Sequence, residues 1–481
     1  MQGWLKNNKK ILIIFILVMV LVQGSMVSAI ISDKIDSLLE RHMKDSDLPG
    51  IAVGIIKNGE TIYSDTKGID GHGEELAETS PIFIGSVSKS FTALAVMQLA
   101  EKDLISLDTP VKKYIPYFEV ANPKLSEKVT VRDLLIQKSG LSRKQQVPSS
   151  DYNSTLKERV KALSNMEEVT ENGKEFHYLN DNYNILGLLI EEVTGKSYAS
   201  YMRENVFTPL GMISTTADIE TIKEKNIYGY TNIFGFSKRL KERVPLYDIP
   251  SGYIVSNLQD MNKYVSFLLE PNEEILSKES IKEMRLISEN SNYGMGWRIT
   301  EVDDLELIEH SGAVPVFSSH VALIPETKSG YVYIINKGHI IHNFVKTYEK
   351  LQNNLLQIIM GQNNFEHFPS ILILRIFSFI ILILTLKDIW TTKKLLNANK
   401  TKKEWIKEGV KSLIQIGFLC FGLPFILRNV LGLGFDLVYM LEYVPDFTIL
   451  LFVSIFIEVI RSIISLVHII RKNYIRNTYN I

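Results

Sequence analysis

The chain has 481 residues, and 53 Lys and Arg against 54 Asp and Glu leave a formal net charge of −1. That balance excludes the strongly basic surface on which nucleic-acid binding depends, and the length suffices for a sizeable core without covalent staples. Cys420 is the single cysteine, which excludes structural disulfides, multi-cysteine metal centres and a cysteine nucleophile in the polar middle of the chain.

In chain order, Lys6, Lys9 and Lys10 precede an unbroken apolar run, Ile11–Val22, and then Val27-Ser28-Ala29. A basic segment, a short apolar segment and small residues are the parts of a secretory signal. Residues 1–29 are therefore expected to be a signal peptide, with residues 30–365 exported behind it. A short amphipathic helix is expected over 33–44. Ile51–Lys57, the turn Asn58-Gly59 and Thr61–Thr66 predict a β-hairpin. A helical pattern begins at Ser86 and continues to Lys102. Val131–Gln137, Leu156–Leu163, Tyr183–Val193, Tyr198–Val206 and Leu258–Leu269 follow as further helices. Strands return at Gly296–Thr300, Leu305–His310, Phe317–Ile324 and Tyr331–Asn336, before a helix over His342–Met360. Strands at both ends with helices between them do not alternate as βαβ units. They predict an α+β fold, with an antiparallel sheet closed by distant segments and flanked by helices, and with an inserted all-helical region.

Residues 366–481 are expected to be a membrane domain with three transmembrane helices, at about 369–390, 412–433 and 447–470. Arg375, Arg428, Glu458 and Arg461 interrupt these runs. At i, i+3, Glu458 and Arg461 are placed to pair, and such pairing lowers the cost of insertion. Eight lysines from Lys387 to Lys411, and Arg471, Lys472 and Arg476, flank the spans on one side. The loop from Gly434 to Asp446 has no Lys or Arg. By the positive-inside rule the basic segments are cytoplasmic. Residues 30–365 then lie on the outer face of a bacterial cell membrane, where the signal would also send them.

The tetrad Ser86-Val87-Ser88-Lys89 has the S-x-x-K spacing, which puts a hydroxyl and an amine one helical turn apart on one face. Ser64–Lys67 and Ser154–Lys157 share that spacing, but one lies in the hairpin and the other in a polar stretch. Ser86 follows Gly85 and opens a helix, whose N-terminus favours developing negative charge. Tyr178-Leu179-Asn180, just before a helix, supplies a phenol and an amide. Tyr230–Asn232 repeats that spacing in an aromatic, glycine-containing loop. A basic residue with small neighbours on a strand would let a backbone N–H face a reacting carbonyl. Lys138-Ser139-Gly140, His310-Ser311-Gly312 and Lys328-Ser329-Gly330 all qualify by composition, and only His310 ends an edge-like strand.

Together and in order, these segments resemble the serine β-lactamase-related family of class C β-lactamases, penicillin-binding proteins, D-alanyl-D-alanine carboxypeptidases, D-aminopeptidases and esterases. Gly85–Ala93, Ser139-Gly140-Leu141, Tyr183–Gly195 and Pro209-Leu210-Gly211-Met212 carry the resemblance, which covers about residues 35–345. It implies that Ser86 is acylated, with Lys89 and Tyr178 sharing the proton work. Asn180 would orient substrate, beside the His310, Ser311 and Gly312 strand. The oxyanion hole would be the N–H groups of Ser86 and Ala313. Two positions depart from the family: His310 stands where many members have lysine, and Gln137-Lys138 replaces a common His-Thr. The signal, domain and C-terminal helices also resemble periplasmic peptidases that mature colibactin-like natural products by removing an N-acylated D-amino acid. Those carry asparagines where this chain reads Ala313–Ser319.

The activity expected from this is acyl transfer to Ser86 and then hydrolysis of a small peptide, amide or ester bearing a D-amino acid. The alternatives are a β-lactamase, a D-alanyl esterase acting on cell-wall polymers, or a slowly acylating sensor. No metal or organic cofactor is implied. Expected partners are the lipid bilayer and, for the additional helices, a membrane transporter or a second copy of the chain.

Overall fold

The computed structural model describes residues 32–141, 151–171, 173–338, 346–362, 365, 370–423, 425, 440–441, 443 and 445–478. The expected signal peptide and the start of the expected His342–Met360 helix lie outside them.

A continuous apolar run, buried from Gly50 to Ile56, and a largely polar edge strand form the predicted hairpin, β1 (Gly50–Lys57) and β2 (Glu60–Gly68). The later strands are β7 (Arg298–Val302), β8 (Leu305–Val314), β9 (Phe317–Ile324) and β10 (Ser329–Ile335). They join in the order β2-β1-β10-β9-β8-β7. Every pairing in this sheet is antiparallel, and the closure of distant segments is the β1–β10 ladder, from Ile51↔Ile335 to Lys57↔Ser329. β9 and β10 are buried along their whole length, as central strands covered on both faces should be.

The two faces of the sheet build separate cores. On one face, Ile35, Leu38 and Leu39 from a helix over 32–46 meet Tyr331, Tyr333 and Leu351; the last belongs to a helix over Thr347–Ile359. On the other face, Val321, Val332 and Ile334 meet the inserted helical region. Its centre is the Ser88–Glu101 helix, with Phe91, Leu94 and Ala95 buried, and the Asn180–Thr194 helix. The second of these ends in a left-handed glycine, Gly195 at φ 68°.

Three segments differ from expectation. The loop assigned around Tyr230 is strand: β4 (Tyr228–Ile233) pairs with β5 (Phe236–Lys241) and, in parallel, with β11 (Lys337–Gly338). Phe234 and Gly235, both at positive φ, make the turn of that hairpin. A further short pair, β3 (Ile82–Phe83) with β6 (Val255–Ser256), frames the entry to the Ser86 segment. β8 also runs four residues past His310, since Val314↔Phe317 closes a two-residue hairpin around Pro315 and Val316.

The expectation of three membrane helices is corrected to one. Among the described residues, Pro445–Tyr474 is long and apolar enough to cross a membrane. The second expected span begins inside an amphipathic helix, Lys402–Gly417, whose first turns are charged; most of the rest of that span lies outside the described residues. The first falls on a 27-residue helix, Ser370–Leu396. Its Arg375 is tied to the preceding domain, donating to Gly235 O at 3.0 Å and pairing with Asp47 at 3.3 Å. The Glu458–Arg461 pair forms as expected, at 2.7 Å, and Arg461 also bonds Thr391, Thr392 and Asp388 of the Ser370–Leu396 helix.

Candidate active site

The chain passes from β3 into a single tight turn, Gly85–Val87, and then into the Ser88–Glu101 helix. Gly85 sits at φ 54°, and a Cβ there would lie 2.3 Å from Ala313 N. A Cβ on Gly312 would in turn lie 2.0 Å from Ile84 O. Only glycines at both positions let the Ser86 turn rest directly on the β8 backbone. Ser319 Oγ donates to Ile84 O at 2.7 Å, and Ser88 Oγ accepts from Ile254 N at 3.2 Å. The turn is thus fastened from both sides.

Ser86 is half-buried and Lys89 is fully buried. The Lys89 ammonium donates to Ser86 Oγ at 3.2 Å, to Asn180 Oδ1 at 2.9 Å and to the Ser251 carbonyl at 2.6 Å. These acceptors use all three of its donors. The ammonium also lies 4.9 Å from the Tyr178 ring centroid and 5.7 Å from that of Tyr183. Three of the expected residues, Ser86, Lys89 and Asn180, therefore share one hydrogen-bonded cluster, with Tyr178 against it.

Tyr178-Leu179-Asn180 is held by the departure noted at 137. Gln137 adopts φ 62°, and its Oε1 accepts from Leu179 N at 3.0 Å and from Asn182 Nδ2 at 2.6 Å. Lys138 turns away, donating to Glu289 O. Lys328 fills a turn in the left-handed region and pairs with Glu270 at 2.6 Å. Of the three candidate triplets, His310-Ser311-Gly312 is the one whose strand meets the Ser86 turn.

His310 lies where β8 loses its β7 partner, since that ladder ends at Arg298↔Glu309. It is 3% exposed, with its ring 6.3 Å from that of Tyr178. The Nδ1 contact is a carbonyl, Ser311 O at 2.8 Å, so Nδ1 carries the hydrogen. Nε2 then accepts from the Tyr293 hydroxyl at 3.0 Å. Burial, and next the nearby Lys89 charge, push the His310 pKa down to about 3, so the ring is neutral at ordinary pH. Ser311 and Ala313 are exposed. Alternation along the β8–β9 ladder, counted from the closing pair Val314↔Phe317, points the Ala313 N–H away from β9 toward the open edge.

Sequence reasoning missed Asp248, Ser251 and Tyr293. Asp248 and Ser251 come from a segment without periodicity, Leu246–Tyr253, whose Pro250-Ser251-Gly252 signals no more than a turn. Tyr293 belongs to a Gly-flanked stretch before β7, and nothing in its neighbours marks it. Among the described residues no group of His, Cys, Asp and Glu is arranged to hold a metal.

Comparison with known proteins identifies the family and the fold. The model of the beta-lactamase family matches residues 35–352, more than half of the 481-residue chain. The chain belongs to the beta-lactamase family. Protein flp of Staphylococcus aureus (strain MW2) is 30% identical over 315 residues, 63% of this chain and 62% of that protein. Beta-lactamase-like protein 2 of Dictyostelium discoideum is 26% identical over 320 residues, 62% of this chain and 58% of that one. The match thus spans less than two thirds of the length of these relatives. Among solved structures, the octameric penicillin-binding protein homologue from Pyrococcus abyssi superposes with a TM-score of 0.60 at 28% identity, over 69% of this chain and 78% of that one. EstCE1, a hydrolase with promiscuous acyltransferase activity, shares the fold at a TM-score of 0.58 and 18% identity, over 65% and 94%.

Proposed function

We propose that the protein is a membrane-anchored serine hydrolase that acts outside the cell membrane through an acyl-enzyme on Ser86. The observation that carries this is the 3.2 Å contact between the Lys89 ammonium and Ser86 Oγ, inside a pocket where Lys89 is fully buried. After loss of a proton, Lys89 takes the hydrogen of Ser86 as Oγ attacks the acyl carbonyl. The N–H groups of Ser86 and Ala313 hold the oxyanion. Lys89 and Tyr178 return the proton to the leaving group, Asn180 orients the acyl part, and water then frees the acid. His310, Ser311 and Gly312 line the leaving-group side.

The substrates proposed are peptides, amides or esters bearing a D-amino acid, which is the class the family resemblance implies. The neutral, doubly bonded His310 favours esters and amides over β-lactams, whose carboxylate seeks a cation. A D-alanyl esterase acting on wall polymers fits the same observation. Anchoring through the Pro445–Tyr474 helix is supported by its length and composition. The signal-like N-terminus and the basic residues that follow that helix support placing the hydrolase domain outside. The test is turnover of an activated D-alanyl ester against nitrocefin by the full chain in detergent. Faster ester turnover that vanishes in Ser86→Ala supports the proposal; turnover that survives that substitution refutes it.

A further inference from the structure

Behind Lys89 stands a carboxylate that the mechanism above does not use. Asp248 is partly exposed as a residue, but its carboxylate is enclosed by Ser251, Asn184 and Asn180. The Ser251 hydroxyl donates to Asp248 Oδ1, Asn184 Nδ2 donates to the same oxygen at 3.0 Å, and Asn180 Nδ2 approaches Oδ2 at 3.4 Å. Two of these three donors belong to residues that grip Lys89 with another atom. Asn180 offers Lys89 its Oδ1, and Ser251 offers its carbonyl. A carboxylate only accepts, so it fixes the Asn180 amide with nitrogen toward Asp248 and oxygen toward Lys89. It fixes the Ser251 turn in the same way, leaving the carbonyl free for the ammonium.

We propose that Asp248 is a positioning residue, an enclosed carboxylate that anchors two of the three acceptors of Lys89 and sets how readily Lys89 gives up its proton for attack by Ser86. The inference rests on the hydrolase reading of Ser86 and Lys89. Lys89 meets the rings of Tyr178 and Tyr183 and, at longer range, the neutral His310. Around Asp248 the other charges are Asp181 and Arg159, and those two are bound to each other at 2.7 Å. Asp248 is thus an anion whose charge acts on both Lys89 and Arg159. Desolvation raises its pKa, while the Ser251 bond and the Lys89 charge oppose that rise. The carboxylate therefore acts on Lys89 both through its charge and through the Asn180 and Ser251 contacts it holds in place.

The test is the pH dependence of kcat/KM for an activated ester, with full-length protein in detergent. Asp248→Asn removes the charge and loosens the Asn180 and Ser251 grip. It is expected to lower kcat about tenfold to a hundredfold, with a smaller change in KM that comes through Asn180. Its acidic limb should move to lower pH by about one unit, since the anion that favours the ammonium form is gone. Asn184→Ala, which removes one donor to the carboxylate, should move the limb the same way by less, and it keeps the test open if Asp248→Asn folds poorly. An acidic limb that stays in place in both variants, or a loss confined to KM, overturns the positioning role. If Ser86→Ala is inactive while those limbs stay put, the inference alone fails; if Ser86→Ala is active, the hydrolase reading falls and the inference with it.

Discussion

Among the described residues two lysines are completely buried, and they stand in different regions with opposite surroundings. Lys89 and Lys337 are both 0% exposed. Lys89 opens the central helix, and one of its three acceptors is a hydroxyl, Ser86 Oγ. Lys337 lies on β11, beside the 32–46 helix and the β4–β5 hairpin. It donates to the Asp47 carbonyl at 2.9 Å, with the Asp47 carboxylate at 3.7 Å. That carboxylate also accepts from Ser237 and pairs with Arg375. Every partner of Lys337 is inert, whereas one partner of Lys89, Ser86, is the proposed nucleophile. Burial alone does not make a lysine chemical; the acceptor it faces does.

The largest expected effect would break this comparison if it failed. Lys89→Met should lower kcat/KM by about a thousandfold or more, as expected for loss of a general base. Lys337→Met should leave kcat/KM within about twofold. Both are read from hydrolysis of an activated ester. Next in size is the contact that seats the nucleophile. Gly312→Ala puts a methyl against Ile84 O and should cost about a hundredfold in kcat, with Ser86 displaced from Ala313.

The smallest effect sharpens the Lys337 side. Burial pushes its pKa down to about 8, below the ordinary value of 10.5. Between those limits the unfolded chain binds more protons than the folded one, so this residue's contribution to stability rises as pH increases from about 8 to 10.5. Thermal melts across that range should show wild type gaining up to about 1–3 kcal/mol relative to Lys337→Met. A difference that is flat or reversed in sign would show that Lys337 titrates normally.

The parts of this molecule legible in the sequence were those with local periodicity or fixed spacing. The β1–β2 hairpin, the Leu258–Leu269 helix and the Ser86–Lys89 turn are written in neighbouring residues. The α+β architecture followed from the order of the segments. The Tyr230 hairpin was not legible, because its glycines and aromatics match a loop until β11 arrives from a hundred residues downstream to pair with it. Asp248 and Tyr293 escaped for a related reason. Each acts by reaching a distant residue, Asn180 or His310, and a single sequence does not carry that distance. The membrane count failed where apolar content was taken for a span, although the Lys402–Gly417 helix has a charged face.

The central claim is that Ser86 is a nucleophile made reactive by Lys89. Labelling of membranes with a fluorescent penicillin and a fluorophosphonate, in wild type, Lys89→Met and Ser86→Ala, tests it most directly. The account predicts labelling in wild type by at least the fluorophosphonate, much slower labelling in Lys89→Met and none in Ser86→Ala. Equal labelling of wild type and Ser86→Ala, or of neither by either probe, would contradict it.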